Sequence, residues 1–177
     1  MKKLIILLIL IISIFLTSCT KLCILNPSQI TMPDDIEFIN LVKQLDTPRK
    51  IADYMTDNFT YKVHLYYTPS PYTLWQIKEG DCNDFSTFAC FVANYHGYTT
   101  YQILIIYKNG DHAIAVFQDI NNYGYTFYTV LNVLNYYDFE HNSFTDICDY
   151  FGCHWTEYYV YDYSMNLVKH VKNTSQY

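Results

Sequence analysis

From Tyr98 to Val133 the chain runs through three β-rich stretches in succession, "YTTYQILIIYK", "HAIAVFQ" and "YTFYTVLNV", separated only by the turns Asn109-Gly110 and Asn121 to Gly124. Their β-branched and aromatic residues suit a pleated surface, and Asn-Gly is a common chemistry for a tight hairpin. Strands joined by so few residues leave no room for a crossover, so neighbours must run antiparallel. The other segments must then cover the faces of that sheet.

The covering segments carry helical spacing. Phe85, Phe88, Ala89, Val92 and Ala93 recur every three or four residues, which predicts a central helix opening at Cys82 or Asn83 and closing at Gly97, a residue suited to the C′ position. Upstream, Ile36, Phe38, Ile39, Leu41, Val42 and Leu45 form an apolar stripe from about Asp34 to Leu45, with acids in the first turn where the helix dipole favours them. Thr47-Pro48 then supplies an N-cap and a first-turn proline for a second helix running to about Asp57. Tyr61 to Tyr67 reads as extended, "TPSPYT" as a loop, Phe144 to Tyr150 as helical and Thr156 to Tyr163 as a strand. The outline is α+β.

The N-terminus, "MKKLIILLILIISIFLTSC", has two lysines and then an apolar run too short to be trusted as a membrane span, the organisation of a signal peptide. Its end, Leu16-Thr17-Ser18-Cys19, resembles the bacterial lipobox, which implies cleavage before Cys19 and acylation of that residue. Each buried acyl CH₂ contributes about 0.8 kcal/mol, so two or three chains hold a protein at a membrane surface. The expected division is a signal peptide over 1–18, a tether over 19–33 and one domain over 34–177, in an extracytoplasmic, lipid-anchored protein. The discarded segment holds two lysines and no acid, so the formal charge of −6 becomes −8 on maturation. Without a basic stripe to neutralise phosphates, a nucleic-acid partner is not expected. The 20 tyrosines suggest a sugar- or peptide-stacking surface, but Tyr, Asn, Ile and Lys are all favoured by AT-rich coding, which accounts better for most of them.

Of six cysteines, five are left once Cys19 is assigned to lipid, an odd number that leaves at least one thiol free. Cys148 and Cys153, in "CDYFGC", are close enough to close a small loop, and an exported location permits a disulfide there. The same pair with His141 and His154 departs from the usual zinc spacing, so neither a metal nor a cofactor is expected.

The stretch "KEGDCNDFST" then poses a chemical question about Cys82. A nucleophilic thiol needs a lowered pKa, a base within reach, a group orienting that base, and donors for an oxyanion. The start of the central helix offers N–H groups and the positive dipole end, while Asp81 and Asp84 oppose thiolate; Asp84 reads as a cap for first-turn N–H groups. His112, at the start of the second strand, is the candidate base. A hairpin turn centred on Asn122-Tyr123 sets His112 opposite Val133, and a one-residue change in loop length brings Asn132 opposite it instead. The Asn132 carbonyl could then accept Nδ1–H and fix the tautomer, with Asn135 behind it.

Taken in order, these residues resemble the transglutaminase-like superfamily of papain-like fold. Gly80-Asp81-Cys82-Asn83-Asp84-Phe85-Ser86 matches its cysteine motif and His112-Ala113 its histidine motif. Tyr128 and Asn132 match the spacing of its third motif, with Asn in place of the usual Asp. The resemblance covers about residues 47–135. Ile114 and Val116 depart from the Trp and acid that commonly follow His-Ala. It implies a transglutaminase-like fold: N-terminal helices and a cysteine-bearing central helix packed on an antiparallel sheet. It also implies thiol acyl transfer through Cys82, His112 and Asn132, with the Cys82 N–H and Gln76 as oxyanion donors. The substrate would be a protein or peptide, peptidoglycan peptides among them. The alternative is a catalytically weak or inactive lipoprotein of the same fold that serves as a surface binding or assembly module.

Overall fold

Side-chain oxygens start the helices. Asp35 accepts the N–H groups of Glu37 and Phe38, opening α1 (Ile36–Gln44), and Thr47 accepts that of Lys50, opening α2 (Pro48–Asn58). Ser70 accepts from Thr73 at α3 (Pro71–Ile77), Asp81 from Asn83 and Asp84 at α4 (Cys82–Tyr95), and Ser143 from Asp146 at α5 (Phe144–Tyr150). Each such cap satisfies N–H groups that have no partner within the helix. These elements belong to a computed structural model that describes residues 26–63, 68–119, 122–128, 134–151 and 154–174.

Among the described residues, eight strands form two sheets. β1 (Thr60–Tyr61) and β2 (Glu79–Gly80) make a parallel pair. The six-stranded sheet has the order β6-β5-β4-β3-β7-β8, from β3 (Thr99–Tyr107), β4 (Gly110–Gln118), β5 (Tyr123–Tyr128), β6 (Leu134–His141), β7 (Trp155–Asp162) and β8 (Leu167–Lys172). Every neighbouring pair in it is antiparallel, as the short connections require for the hairpins; β7 reaches the side of β3 by the longer connection through α5. The protein is thus a mixed α and β structure built on a large antiparallel sheet.

Helices flank both faces of this sheet. On one, the apolar sides of α1 to α4 enclose Phe38, Ile51, Met55, Leu74, Phe88 and Phe91 and meet the sheet at Ala115 and Phe117. On the other, α5 brings Phe144, Ile147 and Cys148 against Ile103, Ile105, Ile114, Val116 and Tyr158. β4 therefore sends alternate residues to opposite cores, the period-two rule of a strand. Its odd-numbered residues face α4 and its even-numbered ones face α5.

Several expectations need correction. The hairpin loop between β3 and β4 is Lys108-Asn109, since Tyr107 pairs with Gly110, and β4 starts two residues earlier than expected. Gly110 has φ +153°, a conformation open to glycine and strained for other residues. The next hairpin pairs Gln118 with Tyr123 and Ala115 with Thr126. That register is not the one centred on Asn122-Tyr123 on which the expected pairing of His112 with Val133 or Asn132 rested, and positions 129–133 lie outside the described residues. β5 also stops at Tyr128, and β6, absent from the sequence outline, begins at Leu134. "TPSPYT" contains the start of α3, because Ser70-Pro71 repeats the cap-and-proline chemistry of Thr47-Pro48.

Candidate active site

Three local features hold Cys82 in position. Lys78, the C-cap of α3, takes a left-handed conformation with φ +60°. Its ammonium donates to the Tyr54 hydroxyl at 2.9 Å and lies 5.0 Å from the Trp75 ring centre and 5.4 Å from that of Tyr54. Thr60 and Lys62 donate backbone N–H to the Lys78 and Gly80 carbonyls, fixing β2 against β1. At Gly80 a Cβ would come within 2.7 Å of Leu74 Cδ1 and 2.9 Å of the Asp84 side chain, so only glycine fits.

Cys82 follows as the first residue of α4, under a capping box. Asp81 Oδ1 accepts the N–H groups of Asn83 and Asp84, and Asp84 Oδ2 accepts that of Asp81 at 2.8 Å. The cap is therefore Asp81, while Asp84 reaches back to the N-cap residue, reversing the expected assignment. The N–H of Cys82 is left outside this arrangement.

The surroundings of the sulfur favour the neutral thiol. Cys82 is 9% exposed, and burial pushes its pKa up to about 12. The backbone N–H of Ala113 pulls the other way, and the carboxylates of Asp81, Asp111 and Asp84 add to the rise. The lowered thiol pKa expected from a helix N-terminus is not what this environment produces: desolvation and three nearby acids outweigh the dipole. Burial, reinforced by Asp81, also raises the Asp84 carboxyl to about 8, and the same two causes raise Asp111.

His112 lies on the other side of the strand. By the alternation of β4 it shares the face of Ile114 and Val116, and its ring centre is 6.0 Å from that of Phe151, at the end of α5. Burial lowers its pKa to about 4, so the imidazole is neutral at pH 7. Among the described residues no hydrogen bond between Cys82 and His112 is present. The sulfur instead meets the strand at Ala113, one residue on, with Asp111 on the same face. Sequence reasoning missed Asp111, although the small Ala113 and Ala115, alternating with Ile114 and Val116, mark the helix-facing set.

Gln76 is exposed on α3, and no contact joins it to Cys82 among the described residues. Asn132, Cys19 and Cys153 lie outside the described residues. Cys148 is fully buried on the inner side of α5; its expected partner, Cys153, is not among the described residues, so the pairing stays an expectation. The place of Cys148 beside Ile147 on the buried side of α5 directs it into the core.

No family model matches the chain, and no curated protein does. Among solved structures, the chain is similar to LapG of Legionella pneumophila, with 16% identity over 55% of this chain and 63% of that one, at a TM-score of 0.41. The calcium-bound form gives 16% identity, the same coverage and a TM-score of 0.42. The EGTA-treated form gives 13% identity over 78% of this chain and 75% of that one, at 0.45. The chain thus spans less than two thirds of the length of the first two LapG structures.

Proposed function

We propose that the protein is a thiol-dependent acyl-transfer enzyme, a transglutaminase-like cysteine peptidase or amidase, held at the cell envelope through lipid on Cys19. It would act on peptide or carboxamide bonds, those of peptidoglycan peptides among them. The observation that carries this reading is the meeting of two motifs 30 residues apart. The Cys82 thiol, at the capped start of a buried helix, lies near enough to the backbone of Ala113, the residue that follows His112, for that N–H to favour its thiolate.

Catalysis on this scaffold needs the His112 imidazole to come round to the α4 face. Among the described residues, 110–114 of β4 pair only with β3, the pairing with β5 beginning at Ala115. A bulge there would re-aim His112 without breaking the wider sheet, a role bulges commonly take beside active sites. The neutral imidazole would then remove the thiol proton as the sulfur attacks the carbonyl. The Cys82 N–H would hold the oxyanion, with Gln76 as a candidate second donor, and the imidazolium would protonate the departing amine. Water, activated by the same imidazole, would release the acyl group and regenerate the thiol. Asn132 would fix the tautomer of His112.

The second reading is a binding or assembly module without catalysis. What favours it is the protonated, acid-flanked thiol with the histidine on the opposite face. Iodoacetamide labelling of Cys82 between pH 5 and 9, followed by mass spectrometry, separates the two. The enzyme reading expects labelling near pH 7 that falls by about 10² or more in His112→Ala, the usual scale of general-base assistance. It also expects loss of peptide hydrolysis in Cys82→Ala. Labelling only in the most alkaline samples, unchanged by His112→Ala, would leave the binding module standing.

A further inference from the structure

We propose that the protein stands on a phospholipid surface on the end of the domain that holds Asn26, the last turn of α4 and the β7–β8 turn, so that Cys82 faces away from the lipid. The inference rests on the reading that Cys19 is acylated. Seven residue steps separate Cys19 from Asn26, a reach of at most about 25 Å whatever path the chain takes. From Asn26 onward the chain is held by the domain. The Asn26 side-chain amide donates to the Ser164 carbonyl, in the β7–β8 turn, at 3.0 Å; Pro27 is buried, and Ile30 and Met32 pack against the core that α4 shares. The lipid therefore draws in the end of the molecule where β7 turns into β8.

That end also gathers the C-termini of two helices. Asn94, Gly97 and Thr99 line one hollow with Asp162, Tyr163 and Ser164, and His96 Nε2 donates to the Val42 carbonyl, near the end of α1, at 2.7 Å. Cys82 begins the same helix that ends here, and 14 residues at about 1.5 Å each set it about 20 Å away along the axis. What this end shows to solvent fits a headgroup layer. Tyr95 is 48% exposed, and Leu167 and Val168, at the start of β8, are 55% and 52% exposed. A tyrosine ring, apolar with a polar tip, suits the lipid–water interface. Lys43, exposed in the last turn of α1, suits anionic headgroups, while Asp46 is taken by Lys50 and Asp162 by Asn166. Asp119 and Glu140 lie toward the far corner, where Gln118, Tyr123 and His141 pair in turn, so an anionic surface selects the β7–β8 corner. The tether fixes which end arrives, and the apolar patch fixes how it sits. The substrate is then a peptide held clear of the headgroups, not one lying in the lipid interface.

Tryptophan reporters test this on the full, lipidated chain in vesicles of phosphatidylethanolamine and phosphatidylglycerol, with or without bromine near the headgroup end of the acyl chains, which quenches indole emission on contact. Leu167→Trp and Tyr95→Trp place a reporter at the proposed contact. Val63→Trp places one at the Cys82 end, next to Lys62, whose N–H bonds the Gly80 carbonyl. Above the background of Trp75 and Trp155, brominated lipid should dim the first two reporters and leave the third unchanged. Adding Leu167→Asp with Val168→Asp to Tyr95→Trp should restore its emission while the protein still floats with the vesicles. Flotation of the wild type and of Cys19→Ala separates this proposal from the reading beneath it. If the wild type floats through Cys19 but the reporters dim alike, none dims, only Val63→Trp dims, or the aspartate pair stays dimmed, the orientation is overturned and the anchor stands. If the wild type does not float, or Cys19→Ala floats as well as it does, the acylation reading falls and the orientation falls with it.

Discussion

Asp84 and His112 both have pKa values moved by burial, but in opposite directions, and the pH dependence of stability follows from the two together. The Asp84 carboxyl, at about 8 when folded against an ordinary 3.8, keeps its proton in the fold and loses it in the unfolded chain across that interval. Its contribution is full below the ordinary value and is lost as pH rises to about 8. For His112, at about 4 when folded against an ordinary 6.5, the contribution is present above 6.5 and lost as pH falls to about 4. The two slopes oppose each other between about 4 and 6.5, and only the Asp84 loss continues above that. Thermal unfolding should therefore show a decline from about pH 6.5 to 8 that Asp84→Asn removes, because the amide oxygen can still accept the Asp81 N–H. A wild type and variant that fall in parallel over that range would place the titrating proton elsewhere. Gly80 gives a second test at this scale. In Gly80→Ala the new methyl would press on Leu74 and Asp84, and such overpacking costs about 1–3 kcal/mol. Denaturant melts should show that loss together with altered labelling of Cys82, whereas an unchanged midpoint would mean that β2 shifts freely.

At the level of the elements, both ends of α4 were legible in the sequence because each carries its own chemistry. Asp81 and Asp84 form the capping box, and Gly97, with φ +85°, closes a Schellman motif in which Tyr98 donates to the Ala93 carbonyl and Gly97 to that of Asn94. Gly97→Ala should lower stability by about 1 kcal/mol, the scale of forcing a side chain into that conformation, while Gly97→Asn should lose less. Equal losses would show that the left-handed turn does not control the helix end. The strands were legible as strands but not in register. Nothing in "FQDINNYGYTFYTVLNV" says that pairing starts at Gln118 with Tyr123, and a change of that size moves every partner along the hairpin. The facing of His112 depends on the same parity. Its motif was plain in the sequence, yet the side of β4 on which it emerges is set by which of Ala113 and Ile114 touches α4, a tertiary fact that the alternation of small and large residues only hints at. β6 was missed because "NYYDFEH" lacks the apolar alternation of a core strand, which suits an edge.

For the molecule as a whole, attachment to a membrane and folding of the domain should be separable. Among the described residues no helix is long and apolar enough to cross a membrane, and both core clusters are built from residues 38–160. If Cys19 carries the lipid, Cys19→Ala should move the protein from the detergent phase to the aqueous phase in a phase-separation assay, while leaving its thermal midpoint unchanged. Two or three acyl chains contribute far more membrane affinity than one, at about 0.8 kcal/mol per buried CH₂, so the shift should be nearly complete. A variant that stays with the detergent would instead make the apolar run from Leu4 to Ile12 an uncleaved anchor. The site predictions survive either result, because the sulfur of Cys82, its capping box and the Ala113 contact lie within the folded domain; only the side of the membrane on which a substrate must be sought depends on the N-terminus.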